Sequence, residues 1–214
     1  MMKMCKRCIK AALRLILKRN IEDIKRQIDE AEVVSFDLFD TLVYRESGKP
    51  ESVFKLISDE HEGFYKKRLL AERRARKEIP SEITIDDIYD RIEGIEKKEL
   101  ELLQKKEIDT ELSVSRIREE GRMLYEYALL TKKTIVITSD MYLGEGILTR
   151  ILEKNGYSSW DKLYVSSAYG MIKKKGLFKA VIKDYEGKKI LHIGDDSVSD
   201  WASARKLRVE AAVL

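Results

Sequence analysis

Four short apolar runs, each cut off by a polar residue or a glycine, constrain this chain more than any other feature. Val33-Val34-Ser35-Phe36 stops at Asp37, and Thr134-Ile135-Val136-Ile137 stops at Thr138-Ser139-Asp140. Leu163-Tyr164-Val165 and Ile190-Leu191-His192-Ile193 repeat the pattern more weakly. Such β-prone runs predict buried strands. Helical spacing fills the stretches after the last three runs, over residues 146–154, 177–185 and 200–207; the first of these carries Ile147, Leu148, Ile151 and Leu152. Strand alternating with helix implies right-handed crossovers. The expected fold is therefore α/β, Rossmann-like and doubly wound, with a mainly parallel sheet. Ligands bind such sheets beyond the carboxyl ends of the strands, and Asp37, Ser139 and Asp195 all stand there.

Residues 49–130 break the rhythm. They read as helices over Val53, Phe54, Leu56 and Ile57, then residues 64–77, 85–104 and 114–130, punctuated by Pro80 and Gly94. Thr84 or Asp86 is placed to cap the third segment. The chain has 214 residues, enough for one α/β domain and a smaller insert. The expectation is a helical cap over residues 49–130, inserted after the first strand, with the core formed by residues 31–48 and 131–214.

Residues 1–30 read as a basic amphipathic helical extension. The first 20 residues hold seven Lys and Arg and no acid, so a whole-chain charge of +4 leaves the rest at −3. That mildly acidic body argues against nucleic acid as a partner. Ile9, Leu13, Ile16 and Leu17 recur at helical spacing, which suits an anionic membrane surface, a protein partner, or docking on the domain itself. The apolar run 11–17 is interrupted by Arg14, too short and too charged for a signal peptide or a membrane span. Cys5 and Cys8 lack the further ligands of a zinc site and the βαβ setting of a redox motif. Reduced thiols and a cytoplasmic, membrane-peripheral setting are expected.

Four constellations carry chemistry. Asp37, after an apolar run and four residues before Thr41, is a carboxylate able to attack an electrophile and form a covalent intermediate. Ser139 offers a hydroxyl just past a strand; Thr138 competes with it, and a Ser-Asp pair there also serves as a helix cap. Lys173-Lys174-Lys175 is either a solvated surface or the source of one inward ammonium that neutralises phosphate. Gly194-Asp195-Asp196-Ser197-Val198-Ser199-Asp200 puts three carboxylates close together. They would repel without a cation, and oxygen-only donors favour Mg²⁺; a turn capped by Asp195 or Asp196 is the alternative.

Asp37-x-x-x-Thr41, Ser139, Lys173 and Gly194-Asp195-x-x-x-x-Asp200, in that order, resemble the four signature motifs of the haloacid-dehalogenase (HAD) superfamily. Ser35-Phe36-Asp37-Leu38-Phe39-Asp40-Thr41-Leu42, Thr138-Ser139-Asp140-Met141-Tyr142-Leu143 and Tyr164-Val165-Ser166-Ser167 look like a bacterial branch with a Phe-Asp-x-Phe-Asp-Thr motif, found with surface-polysaccharide genes. The resemblance spans roughly residues 33–210. It implies Asp37 as nucleophile, Thr41 and Ser139 orienting a phosphoryl group, and Lys173 steadying both. It also implies Mg²⁺ held by Asp37, Asp195 and the carbonyl of Phe39, with Asp40, Asp196 and Asp200 in support. Arg68 and Arg76 of the cap would reach an anionic substrate.

Two departures stand out. Phe178 lies five residues after Lys173 where relatives show six, which leaves Lys174 open as the active-site lysine. Phe39 stands where family phosphatases carry an acid/base Asp. General acid-base catalysis contributes on the order of 10² to 10⁴ in rate, so its loss should hurt poor leaving groups most. Asp40 replaces it only if the chain leaves strand geometry right after Asp37. The expected function is a Mg²⁺-dependent phosphohydrolase or phosphotransferase acting through an aspartyl-phosphate on a small phosphorylated metabolite. The alternatives are a dehalogenase-like hydrolase acting at carbon and a catalytically weakened binding module of polysaccharide biosynthesis.

Overall fold

The computed structural model describes residues 16–58 and 61–214. The cysteine pair and most of the basic segment lie outside the described residues. Helix α1 (Ile21–Glu30) leads into β1 (Val33–Phe36) and β2 (Val43–Arg45). Four helices follow, α2 (Glu51–Ser58), α3 (Phe64–Glu78), α4 (Ile85–Tyr89) and α5 (Lys97–Val114), then β3 (Ser115–Ile117) and α6 (Glu119–Leu130). The remainder alternates: β4 (Thr134–Ser139), α7 (Glu145–Lys154), β5 (Lys162–Val165), α8 (Ser166–Tyr169), α9 (Leu177–Asp184), β6 (Ile190–Gly194), α10 (Ser203–Lys206) and β7 (Glu210–Val213).

The main sheet has the order β5-β4-β1-β6-β7, with every pair parallel. Central β1 puts Val33 opposite both Thr134 and Ile190, and all four of its residues are buried. A parallel strand covered on both faces needs a near-continuous apolar run, which Val33, Val34 and Phe36 supply around Ser35. The Rossmann-like expectation is borne out.

Shorter elements differ from expectation. β7 reads weakly because Glu-Ala-Ala-Val carries little β preference. It is held at the sheet edge by β6 on one side and by Lys18 and the Arg19 N–H, bonded to the Val213 carbonyl at 3.0 Å, on the other. The chain is therefore extended at Lys18, and α1 is a separate helix capped by Asn20, whose Oδ1 accepts from the Asp23 N–H at 2.7 Å. Ile24 and Ile28 bury its inner face, so α1 packs with the core.

The helical reading of 85–104 breaks at Gly94, whose φ of 70° is the left-handed conformation glycine tolerates. Thr84 caps α4 in a reciprocal box with Asp87. The reading of 114–130 gives way to β3, antiparallel to β2. Tyr127 of α6 bonds Asp29 of α1 at 2.8 Å. Gly121 lets α6 approach the turn after β1, since a Cβ there would fall 1.9 Å from the Thr41 carbonyl oxygen. By packing, α6 runs with the sheet, and the inserted helices α2 to α5 are bracketed by the β2–β3 pair. Among the described residues, no helix is long and apolar enough to cross a membrane.

Candidate active site

The carboxyl ends of β1, β4 and β6 converge on Asp37. Its backbone N–H continues the ladder to the Ile193 carbonyl at 2.9 Å, after which the chain turns away. Asp40 has φ of 60°, and bonds from its N–H to Val43 and from Arg118 to its carbonyl pin the turn. The chain thus leaves strand geometry after Asp37. The Asp40 side chain is exposed, with no hydrogen bond or ion pair to the described residues.

Lys173, in a single 3₁₀ turn before α9, is buried and bonds Asp37 Oδ1; it also reaches Asp200 Oδ1 at 2.5 Å. Lys174 and Lys175 are exposed, so of the three lysines Lys173 is the one turned inward. Asp140, at the end of β4, accepts from the Lys173 backbone N–H at 2.8 Å and so fixes the lysine turn. Thr41 Oγ1 lies 3.4 Å from Asp37 Oδ2. Ser139 is buried at the tip of β4, and its hydroxyl makes no hydrogen bond to the described residues. Thr138 points instead to Ser35, 2.9 Å away.

Asp37, Asp195 and Asp200 each offer a ligand atom within 4.8 Å of the others. The resemblance implies only a supporting role for Asp200, whereas its carboxylate lies within this cluster. Gly194 makes room for it, because a Cβ there would meet Asp200 Cγ at 2.3 Å. Asp196 turns away, its Oδ1 capping the following turn through the N–H groups of Val198 and Ser199 at 2.8 and 3.0 Å. Burial, reinforced by Asp200 and Asp195, pushes the Asp37 carboxyl well above the usual carboxylate range, against the pull of Lys173. Burial also opposes the charge on Asp200, but Lys173 and His192 outweigh it and hold that carboxyl low. Lys173 compensates one of three carboxylates. The oxygen-only donor set and the remaining negative charge fit a hard divalent cation such as Mg²⁺.

Both cap arginines have carboxylate partners within the insert. Arg68 is fully buried and donates from Nε and Nη2 to the two oxygens of Glu107, both at 2.8 Å, and from Nη1 to Glu72 at 3.1 Å. Tyr89 and Tyr142 also donate to Glu107, at 2.9 and 3.1 Å. A guanidinium so occupied ties the insert together and, through Tyr142, ties it to the loop after β4; it is not free for substrate. Arg76 is half exposed and paired with Glu72 and Glu82, both at 3.0 Å. Phe39 is half-buried beneath the guanidinium of Arg45, which is 3.9 Å from its ring centroid.

Sequence reading passed over Ser35 and His192, which lie buried directly below Asp37 and Asp200. Their signal was a polar residue inside each of two otherwise apolar strands. A cavity lined by Ile182, Tyr185, Ile190, Leu207 and Val209 opens at the amino-terminal end of β6 and β7, and none of the groups above lines it.

No family model matches the sequence, and no curated protein matches it. Solved structures do. The L-2-haloacid dehalogenase of Xanthobacter autotrophicus is 12% identical, with a TM-score of 0.58 covering 86% of this chain and 77% of that one. A HAD family enzyme of Bacteroides thetaiotaomicron, in complex with magnesium and inorganic phosphate, is 16% identical, with a TM-score of 0.59 covering 86% and 93%. At such identities the likeness concerns the backbone: this chain has the Rossmann-like α/β fold of the haloacid-dehalogenase enzymes.

Proposed function

We propose that the protein is a Mg²⁺-dependent phosphohydrolase or phosphotransferase that works through an aspartyl-phosphate at Asp37. The observation that carries this reading is the buried ammonium of Lys173 set between Asp37 and Asp200, with Asp195 completing an oxygen cluster. The Asp37 carboxylate attacks phosphorus, the bond to the leaving oxygen breaks, and its electron pair departs with that oxygen. Water or an acceptor hydroxyl then attacks the same phosphorus, releasing phosphate or a new ester and restoring Asp37. Ser139 and Thr41 supply hydroxyls to the phosphoryl oxygens, and Lys173 lowers the charge the nucleophile must approach. Mg²⁺ held by Asp37 and Asp195, with Asp200 or the Phe39 carbonyl, would screen the phosphoryl charge. The magnesium and phosphate named with the Bacteroides enzyme support the same assignment here.

The branch-like motifs favour a sugar phosphate or nucleotide sugar as the small phosphorylated substrate. The basic segment before Lys18 is proposed to meet an anionic membrane surface or a protein partner. A phosphate-ester and anhydride panel run with Mg²⁺ and with EDTA tests the reading: release only with Mg²⁺ supports it, and release unaffected by EDTA refutes it. A second reading, hydrolysis at carbon, is favoured by Phe39 and by the dehalogenases among the structural neighbours. Halide release from 2-haloacids in EDTA would favour it.

A further inference from the structure

Beneath the carboxylates, buried polar side chains form a line across three neighbouring strands. Thr138 Oγ1 on β4 lies 2.9 Å from Ser35 Oγ on β1, which lies 2.9 Å from His192 Nδ1 on β6. His192 Nε2 lies 3.2 Å from Asp200 Oδ1. All four residues are buried.

The proton positions follow from donor chemistry. An ionised carboxylate only accepts, so His192 Nε2 carries the proton it shares with Asp200. The other ring nitrogen, Nδ1, faces the Ser35 hydroxyl at 2.9 Å in a fully buried site, and a ring that carries its proton on Nε2 accepts there. Ser35 therefore donates to Nδ1. Its one proton is then used, so Thr138 must donate to Ser35. The line has one direction, and it ends on Asp200.

Phe178 meets the His192 ring edge-on, with centroids 4.7 Å apart and planes at 73°, which fixes the ring plane. Asp200 Oδ2 accepts from the Asp196 N–H at 2.9 Å. The Asp200 carboxylate thus receives Lys173 and His192 on one oxygen and a backbone N–H on the other, which leaves it one orientation.

We infer that His192, held by Ser35 and Thr138, is a positioning residue: through Asp200 it sets where the Lys173 ammonium sits against Asp37. The inference rests on the proposed phosphoryl transfer for its kinetic reading, and on hydrogen-bond direction for a reading independent of it. Packing alone would be served by apolar side chains, as elsewhere in these strands.

The chain has two histidines, His61 and His192, so ¹⁵N-histidine NMR of the full chain, assigned with His61→Gln, reads the His192 tautomer. The Nε2–H form is expected; the Nδ1–H form would overturn the inference whether or not the protein turns over phosphate. In the phosphatase assay, His192→Leu should lower kcat about tenfold or more with KM changed by less than about twofold, since misplacement of a reacting group acts on the chemical step. His192→Gln keeps a donor toward Asp200 and should restore most of kcat. An unchanged kcat in His192→Leu overturns the inference. Should that variant fail to fold, Ser35→Ala decides: a severalfold loss of kcat supports the line, and full activity refutes it. A wild type that releases no phosphate counts against the proposed function, while the tautomer still decides the hydrogen-bond line.

Discussion

The Arg45 guanidinium stacks on the ring of Phe39, 3.9 Å from its centroid, with its Nε 2.5 Å from Glu111. The position two residues after Asp37, the proposed nucleophile, is therefore an apolar ring clamped by a buried cation, with no proton to give. Departing oxygens must leave as anions or take a proton from solvent. Turnover should fall steeply as the leaving group becomes more basic, with acyl or aryl phosphates exceeding alkyl phosphates by on the order of 10² or more. Rates across such a series test this; a flat series would mean that another group, Asp40 first among them, supplies the proton.

Arg68 and Glu107 form a buried pair inside the insert. Removing one partner strands the other charge, so Arg68→Met should lower stability by about 3–5 kcal/mol in urea unfolding. Under conditions where it remains folded, its KM should stay near wild type. A stable variant with a raised KM would return Arg68 to the substrate.

His192 has a proton affinity lowered by burial from an ordinary value of 6.5. Its contribution to stability is complete above pH 6.5 and is lost as pH falls through the depressed folded value, because the unfolded chain takes up the proton first. Relative to His192→Gln, wild type should lose up to about 1.4 kcal/mol per pH unit across that window. Paired urea titrations between neutral and mildly acidic pH measure it; parallel losses in both proteins would contradict a neutral buried ring.

The basic segment predicts retention on anionic vesicles that falls with added salt and is lost when residues 1–15 are removed. Co-sedimentation with neutral and anionic vesicles checks this. Unchanged binding after truncation would exclude the segment as the contact.

Where a residue closes an apolar run, the sequence showed its place: Asp37, Ser139 and Asp195 sit at strand ends because such runs are buried parallel strands. Order along the chain picked out Lys173, and burial separates it from Lys174. Short elements were less legible. β3 is Ser-Arg-Ile and β7 is Glu-Ala-Ala-Val, and both exist because a neighbour supplies hydrogen bonds. Arg68 misled because a buried arginine and a solvated one look alike in sequence; its partners Glu107 and Tyr142 lie 39 and 74 positions away. Asp200 joins the acidic cluster because Gly194 leaves space for it, which the sequence alone does not display.

The central claim is that Asp37 is the nucleophile of a phosphoryl transfer. Phosphate release from the best substrate of an ester and anhydride panel, measured with Mg²⁺ in wild type and in folded Asp37→Asn, tests it most directly. The account predicts release by wild type and none above background by the variant; comparable release by both would contradict it.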